Sequence, residues 1–356
     1  LIENLENGNV ISYNRRRKLC AKAFGHTAQY DTIIHNYLKE DPLSEDFSIT
    51  FKKHSEMRYG ENPHQSAASF SIPGNQEKNI LNATIHQGKQ LSYNNIMDAD
   101  GALACLKEFD RPACVIVKHS NPCGVATGDN LLDIYKKAFN ADSLSAFGGI
   151  VALNRTCTAK IADEISKVFI EIVLAPNYEE QALAIFKKKK NLRVLEIGTF
   201  TKRDKKLEIR NIDGGILVQD VDTKILTTED FEIVTKKKPS DKDIETALFT
   251  WKVLRHAKSN GILIAKNNRT VGLGAGQVSR VDAVHMALRQ GGDNVEGGVL
   301  ASDAFFPFRD SIDALKNSGI NTVLQPGGSI RDGEVIDACN EYEISMIFTG
   351  TRCFKH

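Results

Sequence analysis

The feature that most constrains this chain is an alternation. From about residue 94 to the C-terminus, short apolar, β-branched runs trade places with helical patterns. Helices are expected at 94–109, 130–140, 159–169 and 179–189, and strands at 149–153, 171–174 and 192–197, with a further strand entering at Val115. After a cap at Ser240-Asp241 the alternation resumes. It gives a helix to about His256, strands at 261–266, 269–273, 298–302, 321–325 and 344–349, and helices at 280–290, 310–318 and 332–341. Such alternation implies an α/β fold whose sheet is largely parallel and covered by helices. The two halves share this element order in kind, without a visible sequence repeat.

Ahead of this region, residues 12–39 read as one long helix. Ser12 caps it, and Leu19, Ala23, Tyr30, Ile33 and Tyr37 recur at roughly helical spacing. A polar break at 41–46 reads as a linker, and a strand is expected at 47–53. Residues 57–65 crowd Arg58, Tyr59, Glu61, Asn62, His64 and Gln65 around one Gly and one Pro, and read as a loop. A surface loop is the ordinary reading, yet Arg beside Tyr offers a fork for phosphate and a ring for a base. At 356 residues the chain has room for two or three domains. Boundaries are expected near 45 and near 235, giving 1–45, 46–235 and 236–356.

Composition excludes several classes of function. A formal net charge of +1 creates no overall field for nucleic acid or an anionic membrane. The lysine runs at 187–190 and 236–238 are local, and the first, which follows a helical pattern, reads as a solvated helix end rather than a binding patch. No apolar run approaches the ~18 residues of a membrane span. The seven cysteines are scattered, odd in number and without a Cys-x-x-Cys pair, which argues for a reducing cytoplasm and against a disulfide scaffold. The chain opens at Leu1 with neither a methionine nor a signal-like segment, as a fragment would.

Chemistry concentrates where strands end. Val115-Ile116-Val117-Lys118-His119-Ser120-Asn121-Pro122-Cys123-Gly124 opens as a buried strand and breaks into a turn. Lys118 and His119 stand at that break, a fixed positive donor beside a group that titrates near neutral pH. A structural lysine next to a core histidine is the competing reading. Gly272-Leu273-Gly274-Ala275-Gly276-Gln277 matches a dinucleotide fingerprint poorly. It reads better as a glycine turn aiming backbone N–H groups and the helix start at Ser279-Arg280 toward an anion, and an NAD-type oxidoreductase remains the alternative enzyme class. In 302–310, Phe305, Phe306 and Phe308 cannot all point into a core, so some should line a cleft for a flat ring. Asp310 either caps the next helix or accepts hydrogen bonds from an aminopyrimidine-type edge. Gln325-Pro326-Gly327-Gly328-Ser329-Ile330 and the end at Arg352 are further strand-end turns. No zinc site is expected, because the second cysteine of a deaminase Pro-Cys-x-x-Cys is Ala126. A Cys123–His119 nucleophile pair remains open.

Taken in order, the segments 58–65, 118–124, 145–149, 258–260, 272–280, 302–310 and 352–356 resemble the AICAR transformylase part of the AICAR transformylase/IMP cyclohydrolase family of purine biosynthesis. The helix carrying Arg16-Arg17-Lys18-Leu19 and 23–31 resembles the end of the cyclohydrolase domain. The resemblance implies transfer of a formyl group from 10-formyltetrahydrofolate to the 5-amine of AICAR. It also implies two cytidine-deaminase-like lobes without zinc, and a homodimer with sites at the subunit interface. By the family's pattern His119 is the general base and Lys118 its electrostatic partner. Arg58, Tyr59, His119, Gly148, Glu171, Asn260, Arg280, Phe305 and Arg352 would hold AICAR. Val281, Asp310, Ser329 and Ile330 would contact the folate. Glu171 stands where some members have Asp. The resemblance leaves open a monovalent cation (K+) in the second lobe, and it puts the ring-closing residues of the cyclohydrolase before Leu1.

Overall fold

The computed structural model describes residues 10–201 and 206–356, together with Ile2 and Glu6. The rest of 1–9 in the expected 1–45 segment, and 202–205, lie outside the described residues. The chain divides into two compact units. One takes Leu1–Glu56, Ala68–Gln76 and Lys206–Val221; the other takes Met57–Ala67, Glu77–Lys205 and Asp222–His356.

The first unit opens with helix α1 (Tyr13–Leu38), where the Ser12 side chain accepts a hydrogen bond from the Arg15 N–H. Its apolar residues recur at helical spacing, yet none is buried. Strand β1 (Lys52–Met57) pairs with β2 (Ala67–Ser71) in a two-stranded sheet. The strand expected at 47–53 therefore sits later. Its register is set by the partner strand, which local alternation does not reveal.

The second unit continues with β3 (Thr84–Gln87), α2 (Tyr93–Leu106), β4 (Ala113–Lys118), β5 (Asn121–Thr127), α3 (Leu131–Phe139), α4 (Ser143–Ala146), β6 (Ile150–Leu153), α5 (Ala159–Ser166), β7 (Ile172–Ala175), α6 (Glu180–Phe186) and β8 (Arg193–Glu196). A hairpin, β9 (Leu207–Ile212) with β10 (Gly215–Asp220), belongs to the first unit. The second unit then resumes with β11 (Glu232–Ile233), α7 (Asp241–Leu254), β12 (Ile262–Lys266), β13 (Arg269–Gly274), α8 (Arg280–Gly291), β14 (Val299–Ser302), α9 (Asp310–Asp313), β15 (Thr322–Gln325), α10 (Asp332–Glu341) and β16 (Ser345–Phe348). The helix expected at 310–318 stops at Asp313, because the chain tightens into i→i+3 bonds from Leu315 and Lys316.

All its strands from β3 on join one 12-stranded sheet, ordered β11-β16-β15-β14-β12-β13-β5-β4-β6-β7-β8-β3. Parallel pairing is confined to β6-β7-β8 and β14-β15-β16. The centre is antiparallel, so the largely parallel expectation holds only for the two outer runs. The cause is local. His119 and Ser120 join β4 to β5, and Asn267 and Asn268 join β12 to β13, all four with positive φ. Two-residue connections of that kind make tight hairpins. Strand β5 escaped the sequence reading because Pro122 and Gly124 look like breakers. Pro122 is tolerated at the register shift beside Val117.

The strand orders β5-β4-β6-β7-β8 and β13-β12-β14-β15-β16 are the same, so the sheet is a duplicated unit joined at β5–β13. The repeat extends to single residues. Lys118 Nζ donates to the Phe147 carbonyl before Gly148-Gly149, and Lys266 Nζ donates to the Glu296 carbonyl before Gly297-Gly298. Gly148 and Gly297 both have positive φ.

Alternating strand residues serve two faces. Val115 and Val117 join one core shared with α2 and α7, which carries Leu103 and Trp251. Cys114 and Ile116 face a separate core under α3, α5 and α6. Ile262 and Ile264 face its counterpart under α8 and α10. Close helix–strand approach relies on glycine: a Cβ on Gly124 would strike the Ala138 carbonyl oxygen, and one on Gly274 the Ala283 carbonyl oxygen. Gly274→Ala is therefore expected to destabilise by about 1–3 kcal/mol or more. Gly101→Ala, in α2 with open space around it, should be neutral or stabilising by about 0.5–1 kcal/mol. Urea melts of the two variants check the contrast.

Candidate active site

Two clusters of predicted residues form in the second unit. The first surrounds the β4–β5 turn. Lys118 is half-buried at the end of β4, and His119 is exposed at the turn tip with φ 49°. The Lys118 ammonium donates to the Phe147 carbonyl at 2.8 Å. A Cβ on Gly148, at φ 68°, would lie 3.0 Å from that nitrogen, so a glycine here keeps space open next to the ammonium. The backbone N–H groups of His119 and Ser120 donate to the Asp98 carboxylate of α2, at 3.2 and 2.8 Å. Glu171, just before β7, accepts from Asn95 Nδ2 at 2.8 Å and lies 3.6 Å from Arg193. Its carboxylate is thus engaged by protein groups.

Arg58 and Tyr59 lie in the loop expected from the sequence, the guanidinium 5.5 Å from the ring centroid. Gln65 folds the loop on itself: its carbonyl accepts from Gly60 N–H and its side-chain oxygen from Asn62 N–H, both at 2.8 Å.

The second cluster lines a cleft of about 720 Å³ at the carboxyl ends of β14, β15 and β16. Asn260, Arg280, Val281, Phe305, Asp310 and Arg352 all line it. The phenylalanines divide as expected: Phe306 is fully buried, while Phe305 and Phe308 are 41 and 48% exposed in the cleft wall. Arg352 is exposed with its guanidinium 5.0 Å from the Phe354 ring centroid. Asp310 begins α9 and its carboxylate accepts from the Ser311 N–H. Ser329 and Ile330 follow the lining glycines Gly327 and Gly328 without lining the cleft themselves, and the Ser329 N–H is held by Asp332.

Arg280 differs from a free anion receptor. Its side chain is buried against the fully buried Asp303 carboxylate, donates to Ser302 Oγ at 2.9 Å, and donates to Asn260 Oδ1 at 2.7 Å. Asp303 also accepts from Ser259 Oγ and Gly261 N–H. The pair thereby holds the cleft wall, and Asn260 in particular, in place. The glycine-turn reading of 272–276 is corrected here. Gly272 and Gly274 lie inside β13, where their missing side chains admit α8; only Gly276 is in a turn. That also removes the basis of the dinucleotide alternative. The Cys123–His119 nucleophile pair loses its basis too: burial, followed by the nearby Asp142, pushes the Cys123 thiol up to about 12. Among the described residues, no three His, Cys, Asp or Glu side chains gather as a metal ion requires. No helix among them is long and apolar enough to cross a membrane.

Arg58, Tyr59, Lys118, His119, Gly148 and Glu171 do not line the cleft. The side chain of Asn121 links the two clusters. Asn121 Nδ2 donates to the His119 carbonyl, and Asn121 Oδ1 accepts from Lys258 N–H, both at 3.1 Å, two residues before Asn260. The sequence reading missed Asp98, Asn121 and the role of Asp303. Asp303 alone carried a signal, as a charge directly after an apolar strand.

An α/β enzyme is what these features define, with an ammonium–imidazole turn and a polar, aromatic-walled cleft at strand ends. Residues 1–290 match the family model described as AICARFT/IMPCHase bienzyme. The chain is 48% identical over 362 residues to the bifunctional purine biosynthesis protein PurH of Caldicellulosiruptor saccharolyticus, covering 100% of this chain and 70% of that protein. It is 46% identical over 366 residues to PurH of Persephonella marina, covering 100% and 71%. With PurH of Listeria monocytogenes it shares 44% over 359 residues, covering 100% and 70%. The chain belongs to the AICARFT/IMPCHase family of AICAR formyltransferase/IMP cyclohydrolase bienzymes in purine biosynthesis.

Two outcomes check this geometry. Asp303→Ala leaves Arg280 buried without its counter-charge and should cost about 3–5 kcal/mol in a denaturant melt. At pH 8 iodoacetamide should label exposed Cys20 and leave Cys123 unlabelled in the folded protein, as peptide mapping reads directly.

Proposed function

We propose that the β4–β5 turn carries the formyl transfer, with His119 as general base and Lys118 as electrostatic partner. The observation that carries this reading is the exposed imidazole at the turn tip next to an ammonium fixed on the Phe147 carbonyl. The AICAR amine is conjugated into its ring and is a weak nucleophile, so a base must take its proton as the new N–C bond forms. An imidazole suits that task near neutral pH. Attack on the formyl carbon of 10-formyltetrahydrofolate places negative charge on the carbonyl oxygen. Collapse then breaks the bond to folate N10 and returns a proton there. Protonated Lys118 stabilises the oxyanion and assists the leaving nitrogen.

In this reading AICAR is held by Arg58, Tyr59, His119, Gly148, Glu171, Asn260, Arg280, Phe305 and Arg352. Arg58 and Arg352, both exposed, supply guanidinium forks for the phosphate. Glu171 is the weakest member, since Asn95 and Arg193 already engage it. Val281, Asp310, Ser329 and Ile330 contact the folate. A homodimer is the natural assembly for such a site. One copy's Lys118-His119 turn would meet the other copy's cleft, which accounts for two residue clusters that do not share one cavity. Each repeat is read as a cytidine-deaminase-like lobe without zinc, supported by the shared strand order. Helix α1 is read as the end of the cyclohydrolase domain, and the location as cytoplasmic.

The test is an absorbance assay of tetrahydrofolate release from 10-formyltetrahydrofolate and AICAR. His119→Ala should lower kcat by ~10²–10⁴, and Lys118→Met by ~10²–10³, as for one lost oxyanion donor. Arg352→Ala should raise KM for AICAR with less effect on kcat. A His119→Ala variant with full turnover ends the base assignment.

A further inference from the structure

We propose that Asp98 is the positioning residue of the general base: its carboxylate fixes the left-handed turn on which His119 is displayed. This rests on the reading of His119 as the base. Asp98 sits half-buried on α2, in the second turn after the Ser92 cap. Its two oxygens accept from His119 N–H at 3.2 Å, Ser120 N–H at 2.8 Å and Ser120 Oγ at 3.1 Å. At the tip of a two-residue hairpin those N–H groups point away from the ladder. Without Asp98 they would turn to water and the turn would lose its anchor to the helix.

The duplicated fold supplies the comparison. In the second repeat the corresponding turn is Asn267-Asn268, at φ 53° and 54°. Asparagine adopts this left-handed region readily, whereas serine, at φ 60° in the first repeat, does so reluctantly. Helix α7 has the length and capping box of α2, and places Thr246 where α2 has Asp98. The second turn instead uses its own side chain, Asn268 Nδ2 donating to Glu245 at 2.6 Å. The lysine–carbonyl bond is present in both repeats, at Lys118 and Lys266. In both repeats the preceding helix offers a carboxylate to the turn, but Glu245 takes a side-chain amide, whereas Asp98, in the repeat with histidine at the tip, takes the backbone N–H groups of the turn itself. The helix carboxylate thus goes with the fold, while its grip on the turn backbone goes with the imidazole. Asp98 makes its contacts through the backbone of the turn, so it acts on the reaction through where His119 stands.

A double-mutant cycle on the full chain, read by tetrahydrofolate release, tests this. Asp98→Asn should lower kcat by about 10²-fold, the scale of a misplaced catalytic group, with KM for both substrates little changed. In a His119→Ala background the same substitution should have no further effect on kcat, because the group it positions is gone. An equal loss of kcat in both backgrounds would overturn the proposal and mark Asp98 as merely structural. Unchanged kcat for Asp98→Asn, with His119→Ala impaired, would overturn it while leaving the base assignment standing. Full turnover by His119→Ala would remove both. Should Asp98→Asn fail to fold, Asp98→Thr, carrying the residue that α7 has at this place, enters the same cycle with the same expected outcomes.

Discussion

Two strands joined by only two residues must close through positive φ, and this demand at His119-Ser120 organises much of the second unit. It makes β4 and β5 antiparallel neighbours, which turns the sheet centre away from the parallel order of its flanks. It delivers β5 to the edge where β13 pairs, so that two repeats become one sheet. It also raises an imidazole out of a strand whose residues 113–117 are buried. A longer connection would leave His119 on a loop free to wander; the tight turn leaves it one position, next to an ammonium already held by a carbonyl.

Duplication shows how one frame serves different chemistry. Asn154 follows β6 as Asp303 follows β14, and each side chain accepts the N–H of the residue opposite, Ala113 or Gly261. The backbone needs only an acceptor there. The negative charge in the second repeat answers a different demand, the buried guanidinium of Arg280, which in turn orients Asn260 toward the cleft. Likewise the lysine–carbonyl bond recurs in both repeats, while histidine appears in one. The shared parts hold the fold, and the departures from symmetry fall at the turn and the cleft that carry the proposed site residues.

Several of these features were readable from residue order. Phe305, Phe306 and Phe308 could not all be buried on one strand end, and they are not. Lys118 and His119 stood out because charge follows directly on an apolar run. Other features stayed hidden. Gly272 and Gly274 suggested a ligand turn, yet their purpose is the passage of α8 over β13, since glycine spacing looks alike in both uses. Pro122 and Gly124 read as breakers inside what is a strand, because the bulge that tolerates proline depends on the partner strand. Asp98 and Asn121 gave no signal, as each acts on a group that only folding brings near.

The chain by itself determined the α/β class and the order of most helices and strands, and it singled out Lys118 and His119 as candidates for proton transfer, because periodicity and side-chain chemistry are local properties. Tertiary structure decided strand direction at the sheet centre, the repeat that relates Lys118 to Lys266, and the division of the predicted residues between an exposed turn and a separate cleft. Those outcomes depend on hydrogen bonds and packing between segments far apart in sequence, such as β5 on β13 and Asp303 on Arg280. No local pattern encodes which distant partner a strand edge or a buried charge will meet.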